Sequence, residues 1–276
     1  MGLKTLFGIQ KQGFFIPYRY ADSLPAAEAR KPYAAIDVFM RRHEPGFSDV
    51  LQKLGMFKEE FASFGQTPPP DPRWSQDWFP RLDGAVAYAM VRELKPKRIV
   101  EVGSGHSTRF MARAIKDGAL ATEFTAIDPA PRARIESLPV RFIRKTLHQA
   151  PSAPFAALEK GDILFIDSSH IAMPGTDVDQ LLLDVLPSLP DGVIVHIHDI
   201  FLPDDYPVCW DWRGYNEQQA VAPMFLGGGY ELLFSSAYVA SRMKDELDRS
   251  VIGGIQLPEG AFETSLWLRK QKITDI

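Results

Sequence analysis

Two stretches of this chain end in side chains that could do chemistry at the edge of a sheet. The first is Ile163-Leu164-Phe165-Ile166-Asp167-Ser168-Ser169-His170, and the second is Val193-Ile194-Val195-His196-Ile197-His198-Asp199. Each begins as a short apolar run of the kind that forms a buried parallel strand. In an open parallel sheet, ligands sit beyond the carboxyl ends of the strands. Asp167, His198 and Asp199 leave their strands at that edge, and His170 follows in a loop. Two chemistries suit such a set. An imidazole titrates near neutrality, so His170 or His198 could act as a general base. Alternatively, Asp167, His198 and Asp199 offer oxygen and nitrogen ligands to a divalent cation. His196 shares a strand face with His198 but lies deeper, and reads as a hydrogen-bonded core histidine.

Residues 98–108, Arg-Ile-Val-Glu-Val-Gly-Ser-Gly-His-Ser-Thr, supply a binding loop. The apolar run stops at Gly103-Ser104-Gly105, and a helical pattern follows through Phe110, Met111, Ala114 and Ile115. Glycines let the backbone approach a ligand, and the unpaired N–H groups of a helix N-terminus point at it. A dinucleotide loop would carry a third glycine where Thr108 stands. Glu101, two residues before the first glycine, is awkward beside a pyrophosphate but suits a cationic ligand. S-adenosylmethionine carries a sulfonium and an ammonium and no phosphate. Asp128 follows Gly105 by 23 residues and closes the next strand. A carboxylate there can accept both ribose hydroxyls; taken alone, it would read as a strand-end cap.

These residues need a scaffold that brings the strand ends together. From Asp83 onward, apolar strands alternate with helices, which implies an α/β fold with a parallel sheet covered on both faces. Strands are expected at 98–102, 123–128, 140–143, 162–167 and 192–198. Helices are expected from a cap at Asp83 to Leu94, and over His106–Lys116 and Asp177–Leu186. The tail adds strands at 231–235 and 264–270 around a polar helical stretch at 243–249, the last strand antiparallel at the end of the sheet. Before residue 80 the apolar residues fall into short helical groups, at 33–40 and 47–64, until Pro68-Pro69-Pro70 breaks the pattern. Two domains follow: a mostly helical N-terminal extension over 1–80 that covers the substrate, and a ligand-binding domain over 81–276.

The bulk numbers narrow the partners. A net charge of −4 over 276 residues gives no basic face for nucleic acid. No apolar run approaches the roughly 18 residues of a transmembrane segment. The N-terminus lacks the features of a signal peptide. The single cysteine, Cys209, reads as structural and fits a reducing cytoplasm.

The chain resembles the class I S-adenosylmethionine-dependent methyltransferases. The likeness rests on Glu101–Thr108, Ile166–His170 and His196–Phe201, and covers roughly residues 74–240. It is nearest a bacterial group with Glu-x-Gly-Ser-Gly-x-Ser-Thr, Ile-Asp-Ser-Ser-His and His-x-His-Asp-Ile-Phe motifs, and extends to Pro203–Pro207, Trp212 and Asn216-Glu217-Gln218. The resemblance implies a Rossmann-like, doubly wound sheet of seven strands in order 3-2-1-4-5-7-6, with strand 7 antiparallel. It implies that Glu101, Gly103, Ser104, Gly105 and Ser107 hold the methionine end of the cofactor. Asp128 would take the ribose, residues 146–148 would approach the adenine, and Asp167 would join the cofactor site. Metal-dependent relatives bind Mg²⁺ through acids at positions matched by Asp167 and Asp199. His198 stands where those enzymes have an acid, a departure that counts against Mg²⁺, because nitrogen ligands favour transition metals or zinc.

The expected reaction is methyl transfer to a small-molecule hydroxyl or amine, with His170, His198 and Asp199 catalytic. Trp74–Phe79 and Tyr206–Tyr215 are candidate walls for that substrate. The competing readings are a non-catalytic S-adenosylmethionine-binding subunit, a metal-dependent hydrolase using the His-x-His-Asp run, and a dehydrogenase. Self-association into a homo-oligomer is compatible with the chain.

Overall fold

In the computed structural model, residues 2–272 are described, and they divide into two compact units, 2–31 and 32–272. The first holds a short helix, Gly2–Leu6, and two 3-10 turns, Ala21–Ser23 and Ala27–Ala29, none of which contains a buried residue.

The second unit is built on a seven-stranded sheet. Its strands are β1 (Arg98–Val102), β2 (Glu123–Ile127), β3 (Arg141–Ile143), β4 (Ile163–Ile166), β5 (Ile194–Ile197), β6 (Tyr230–Ser235) and β7 (Leu266–Lys270). The order is β3-β2-β1-β4-β5-β7-β6. β1 to β5 pair in parallel, while β7 runs antiparallel to both neighbours. This is a Rossmann-like, doubly wound sheet in the strand order that the resemblance implies. β4 and β5 are buried at every residue, as continuous apolar strands covered on both faces must be. The order and the antiparallel β7 are those the resemblance implies; the reading of the tail alone, which put the last strand at the end of the sheet, is corrected, since β7 inserts between β5 and β6 and β6 forms the edge.

Register explains how the site assembles. Val102 pairs with Ile127 and Ile166, and Ile166 pairs with Ile197. The next residue of each strand therefore emerges at one level: Gly103, Asp128, Asp167 and His198. Backbone bonds carry this line one step past the ladder. Gly103 N donates to Ile127 O, Asp167 N to Val102 O, and His198 N to Ile166 O.

The helix Arg81–Leu94 packs against the helix His106–Asp117. Gly84 permits the approach, since a Cβ there would fall 2.7 Å from the Phe110 ring. Asp83 does not cap this helix, contrary to the sequence reading. It sits inside the first turn, buried, and its carboxylate accepts from Thr264 N and Ser265 N, each at 3.0 Å. The cap comes instead from Glu263, whose Oε1 accepts from Leu82 N at 2.9 Å and pairs with Arg81 Nε at 3.0 Å. An acceptor 181 positions distant in sequence is invisible to a local capping rule.

Helices Ala34–Arg41, Glu44–Leu54 and Lys58–Ser63 join the core of the sheet-bearing unit through Met40, Phe47, Leu54 and Phe61. The helix expected over 177–186 runs from Asp177 through a π-helical turn at Leu181–Val185 to Ser188. Cys209 is exposed rather than packed. Among the described residues, no helix is long and apolar enough to cross a membrane.

Candidate active site

A cavity of about 730 Å³ opens over the carboxyl ends of the parallel strands, within the usual range for small-molecule sites. Gly103 and Ser104 line it from the first turn, Asp128 from the end of β2, and Thr146, Leu147 and His148 from the segment after β3. Asp167 and His170 enter after β4, and His198 and Asp199 after β5. Trp78, Trp210, Arg213, Tyr215 and Phe262 complete the wall.

The first turn is held tightly. Gly103 has φ +78°, and a Cβ on it would lie 1.8 Å from the carbonyl oxygen of Asp167. Glycine is needed there because the β4 backbone crosses at that point, in addition to any ligand. Asp128 braces the turn from the other side. Its Oδ2 accepts from Ser104 N at 2.7 Å and from Ser104 Oγ at 3.1 Å, and its Oδ1 from Ala130 N at 2.7 Å.

Glu101, Gly105 and Ser107 do not line the cavity. Glu101 is fully buried behind the turn. Its two oxygens accept from Ser107 Oγ and Thr108 Oγ1, each at 2.6 Å, and Thr108 Oγ1 accepts in turn from Gly105 N. The third glycine of a dinucleotide loop is thus replaced by a hydroxyl that ties the helix start to strand β1. Burial pushes the Glu101 carboxyl up to about 8; the two hydroxyl donors oppose this and the charges of Asp167 and Asp128 add to it. A group raised this way is protonated in the fold when it is already ionised in the unfolded chain, so its burial costs more as pH rises from about 4.5 to 8. Urea unfolding at pH 5, 6.5 and 8 is expected to show this falling component. Glu101→Gln should flatten it, and equal pH slopes in both proteins would contradict the assignment.

His170 is the hub of the site. Its Nδ1 stands 2.9 Å from Glu217 Oε2, and its Nε2 lies 3.3 Å from both Asp167 Oδ1 and Asp199 Oδ2. Burial works against the charged imidazole, but Asp199, Asp167 and Glu217 hold its pKa well above the ordinary value. His170 and Asp199 both adopt left-handed backbone, at φ +60° and +55°, a cost that the surrounding contacts must offset. Asp199 Oδ1 also accepts from Thr264 Oγ1 at 3.2 Å. Asp83 therefore reaches the site at second hand, by fixing the backbone that carries Thr264.

His198 Nε2 lies 3.2 Å from the carbonyl oxygen of Trp78, which can only accept, so this nitrogen carries a proton. Nδ1 has no partner. Burial lowers the pKa of His198, but the facing acids Asp199, Asp167 and Asp83 outweigh it and raise it. Burial likewise raises Asp167, yet His198 and His170 bring it down to about 2, which leaves it ionised at any working pH. His196 is a core residue: its ring stacks on Phe165 at 3.6 Å, and Nε2 bonds Ser265 Oγ at 2.9 Å.

Residues 100–200 match the methyltransferase domain family. The matched span contains the first turn, Asp128, Asp167, His170, His198 and Asp199, and ends before Arg213 and Glu217. No curated protein matches the chain. Among solved structures, the S-adenosylhomocysteine-bound methyltransferase PaMTH1 of Podospora anserina is 16% identical, with 94% of this chain and 100% of that one covered and a TM-score of 0.43. The O-methyltransferase TomG of Streptomyces achromogenes, solved with S-adenosylmethionine, is 14% identical over 81% and 90%, with a TM-score of 0.41. The branched-chain polyamine synthase of Thermus thermophilus is 16% identical over 80% and 65%, with a TM-score of 0.44. Identities this low leave cofactor and acceptor to be read from the site itself.

Asp167, His198 and Asp199, the metal set expected from sequence, all reach the cavity. Among the described residues, no group of three His, Cys, Asp or Glu side chains is disposed to hold a metal ion. The His170 ring lies 3.3 Å from both the Asp167 and the Asp199 carboxylates. His198 Nε2 faces the Trp78 carbonyl at 3.2 Å and stands 3.7 Å from Asp199 Oδ1.

The expected substrate walls divide. Trp78, Trp210 and Tyr215 face the cavity. Trp74 packs among Phe61, Phe64 and Phe110, and Phe79 lies against Phe110 and Phe165. Trp212 is 81% exposed. Glu217 and Thr264 were missed as site residues. Glu217 lay in a stretch already singled out, Asn216-Glu217-Gln218, but nothing local to Thr264 signals its contact.

Proposed function

We propose that the protein is an S-adenosylmethionine-dependent methyltransferase acting on a hydroxyl (or amine) of a small molecule. The observation that carries this reading is the convergence of the Gly103–Ser104 turn, Asp128, Asp167, His198 and Asp199 on one cavity. The turn offers a nucleoside site, and an ionised Asp167 beside it favours a sulfonium or ammonium over a pyrophosphate. Asp128 accepts the ribose hydroxyls, and Thr146–His148 flank the adenine. The methionine end lies against Gly103 and Ser104, with Glu101, Gly105 and Ser107 shaping the turn from behind.

The acceptor oxygen attacks the sulfonium methyl in line; a carbon–oxygen bond forms as the carbon–sulfur bond breaks, and S-adenosylhomocysteine leaves neutral at sulfur. The protein contributes positioning and removes one proton. Asp199 receives that proton, with His198 Nε2 3.7 Å from its Oδ1. His170 already carries its second proton and serves as a fixed cation that orients Asp167 and Asp199. No divalent ion enters this mechanism. Residues 81–276 form the transferase domain, and from the segment before it Asp77 and Trp78 line the cavity. The net charge of −4 and the single free cysteine suit a cytoplasmic enzyme of small molecules.

Calorimetric titration with S-adenosylmethionine, S-adenosylhomocysteine and NAD tests the reading. The two sulfur compounds are expected to bind and NAD is not; binding of NAD alone would overturn it. Dialysis against EDTA is expected to leave methyl transfer unchanged, whereas activity lost to EDTA and restored by a divalent ion would reinstate the metal mechanism.

A further inference from the structure

We propose that the methyl acceptor is a flat aromatic acid, whose carboxylate docks on Arg213; this rests on the methyltransferase reading above. The segment Val208–Arg213 is a 3-10 turn that ends at Gly214 with φ +64°. It places the Arg213 guanidinium 4.1 Å from the centre of the Trp210 ring and 5.3 Å from that of Tyr215. Nη1 donates to Tyr215 Oη at 3.0 Å. All three residues line the cavity that contains Asp199 and His198.

Arg213 differs from the other half-buried arginines. Arg81 closes on Glu263, Arg113 on Asp117, and Arg242 on Asp204. Among the described residues no carboxylate pairs with Arg213, and its Nε is out of water without a hydrogen-bond partner. A desolvated guanidinium with an unmet donor is costly unless an anion completes it. With Nη1 committed to Tyr215, Nε and Nη2 remain as a parallel pair of donors, the edge that matches the two oxygens of a carboxylate.

The walls specify the rest of the molecule. Trp210 meets Tyr215 edge-on at 5.9 Å and Phe262 at 5.5 Å, which frames a slot of aromatic faces. Tyr215 lies 4.7 Å from the His170 ring, and His170 reaches Asp199. The anion clamp and the proton acceptor are thus parts of one connected wall, so an acid docked at Arg213 can present a ring hydroxyl toward Asp199.

The test uses the full chain saturated with S-adenosylhomocysteine and three probes of one shape: 2-naphthoate, 2-naphthamide and 2-naphthyl phosphate. Naphthoate is expected to bind roughly 30-fold or more tightly than the amide, as expected when a charged, two-point contact is lost. Arg213→Gln should abolish that difference, Arg213→Lys should retain part of it, and S-adenosylhomocysteine affinity should stay unchanged in both. Equal binding of acid and amide to the unmutated protein would overturn the proposal, as would a preference for the phosphate. A loss of S-adenosylhomocysteine affinity in Arg213→Gln would also overturn it, by assigning Arg213 to the cofactor. Failure of the unmutated protein to bind S-adenosylhomocysteine at all would count instead against the methyltransferase reading itself.

Discussion

Asp128→Ala is expected to weaken S-adenosylhomocysteine binding by roughly 100-fold or more. Two ribose hydroxyls would lose a charged acceptor, and bonds of that kind contribute about 1.5–3 kcal/mol each. The loss extends to the turn itself. Asp128 also accepts from Ser104 N and Oγ and from Ala130 N, so its removal frees the loop that must meet the cofactor. Asp128→Asn should fall between the two, because an amide oxygen keeps the shape and gives up the charge. Calorimetry measures the affinity, and thermal unfolding separates it from stability, since a half-buried loop carboxylate contributes little to the core. An unchanged dissociation constant in the alanine variant would place the ribose elsewhere.

His170→Gln separates two roles that the sequence left open. If His170 were only a proton acceptor facing the substrate, its replacement would remove activity and leave stability intact. The geometry calls for the opposite emphasis. His170 is 3% exposed, and its ring contacts Asp167, Asp199 and Glu217 together. Breaking a buried ionic cluster by removing one partner typically costs about 3–5 kcal/mol. Urea unfolding is therefore expected to show a loss of that order, with methyl transfer falling because Asp199 is no longer held. A variant as stable as the parent would contradict the role assigned to His170.

Much of this site was legible because its residues follow strands directly. The runs ending at Val102, Ile166 and Ile197 are apolar enough to be read as buried strands, and a parallel sheet then puts Gly103, Asp167 and His198 at one edge. Asp128 came with the same argument. What failed was whatever depended on a distant partner. Glu101 was read as facing the ligand because its spacing from Gly103 is visible, whereas its two hydroxyl partners in the following helix turn it inward. The metal set is legible as acids and a histidine at two strand ends; the imidazole that Asp167 and Asp199 share is placed by the left-handed turn at His170 and by Glu217, 47 positions later. Asp83 was read as a local cap, but Glu263 fills that role and frees Asp83 to anchor the approach to β7. Arg213 falls within the Tyr206–Tyr215 wall expected from sequence, but its missing carboxylate partner is recognised only after its neighbours are in place.

The central claim is that one cavity holds S-adenosylmethionine with its methyl group directed at Asp199 and His198. A crystal structure of the protein with S-adenosylhomocysteine tests it most directly. The account predicts the ribose hydroxyls on Asp128, the adenine against Leu147 and His148, and the sulfur beside Asp167, facing the space in front of Asp199. A ligand whose sulfur points away from Asp167 and Asp199, or which binds outside this cavity, would contradict it.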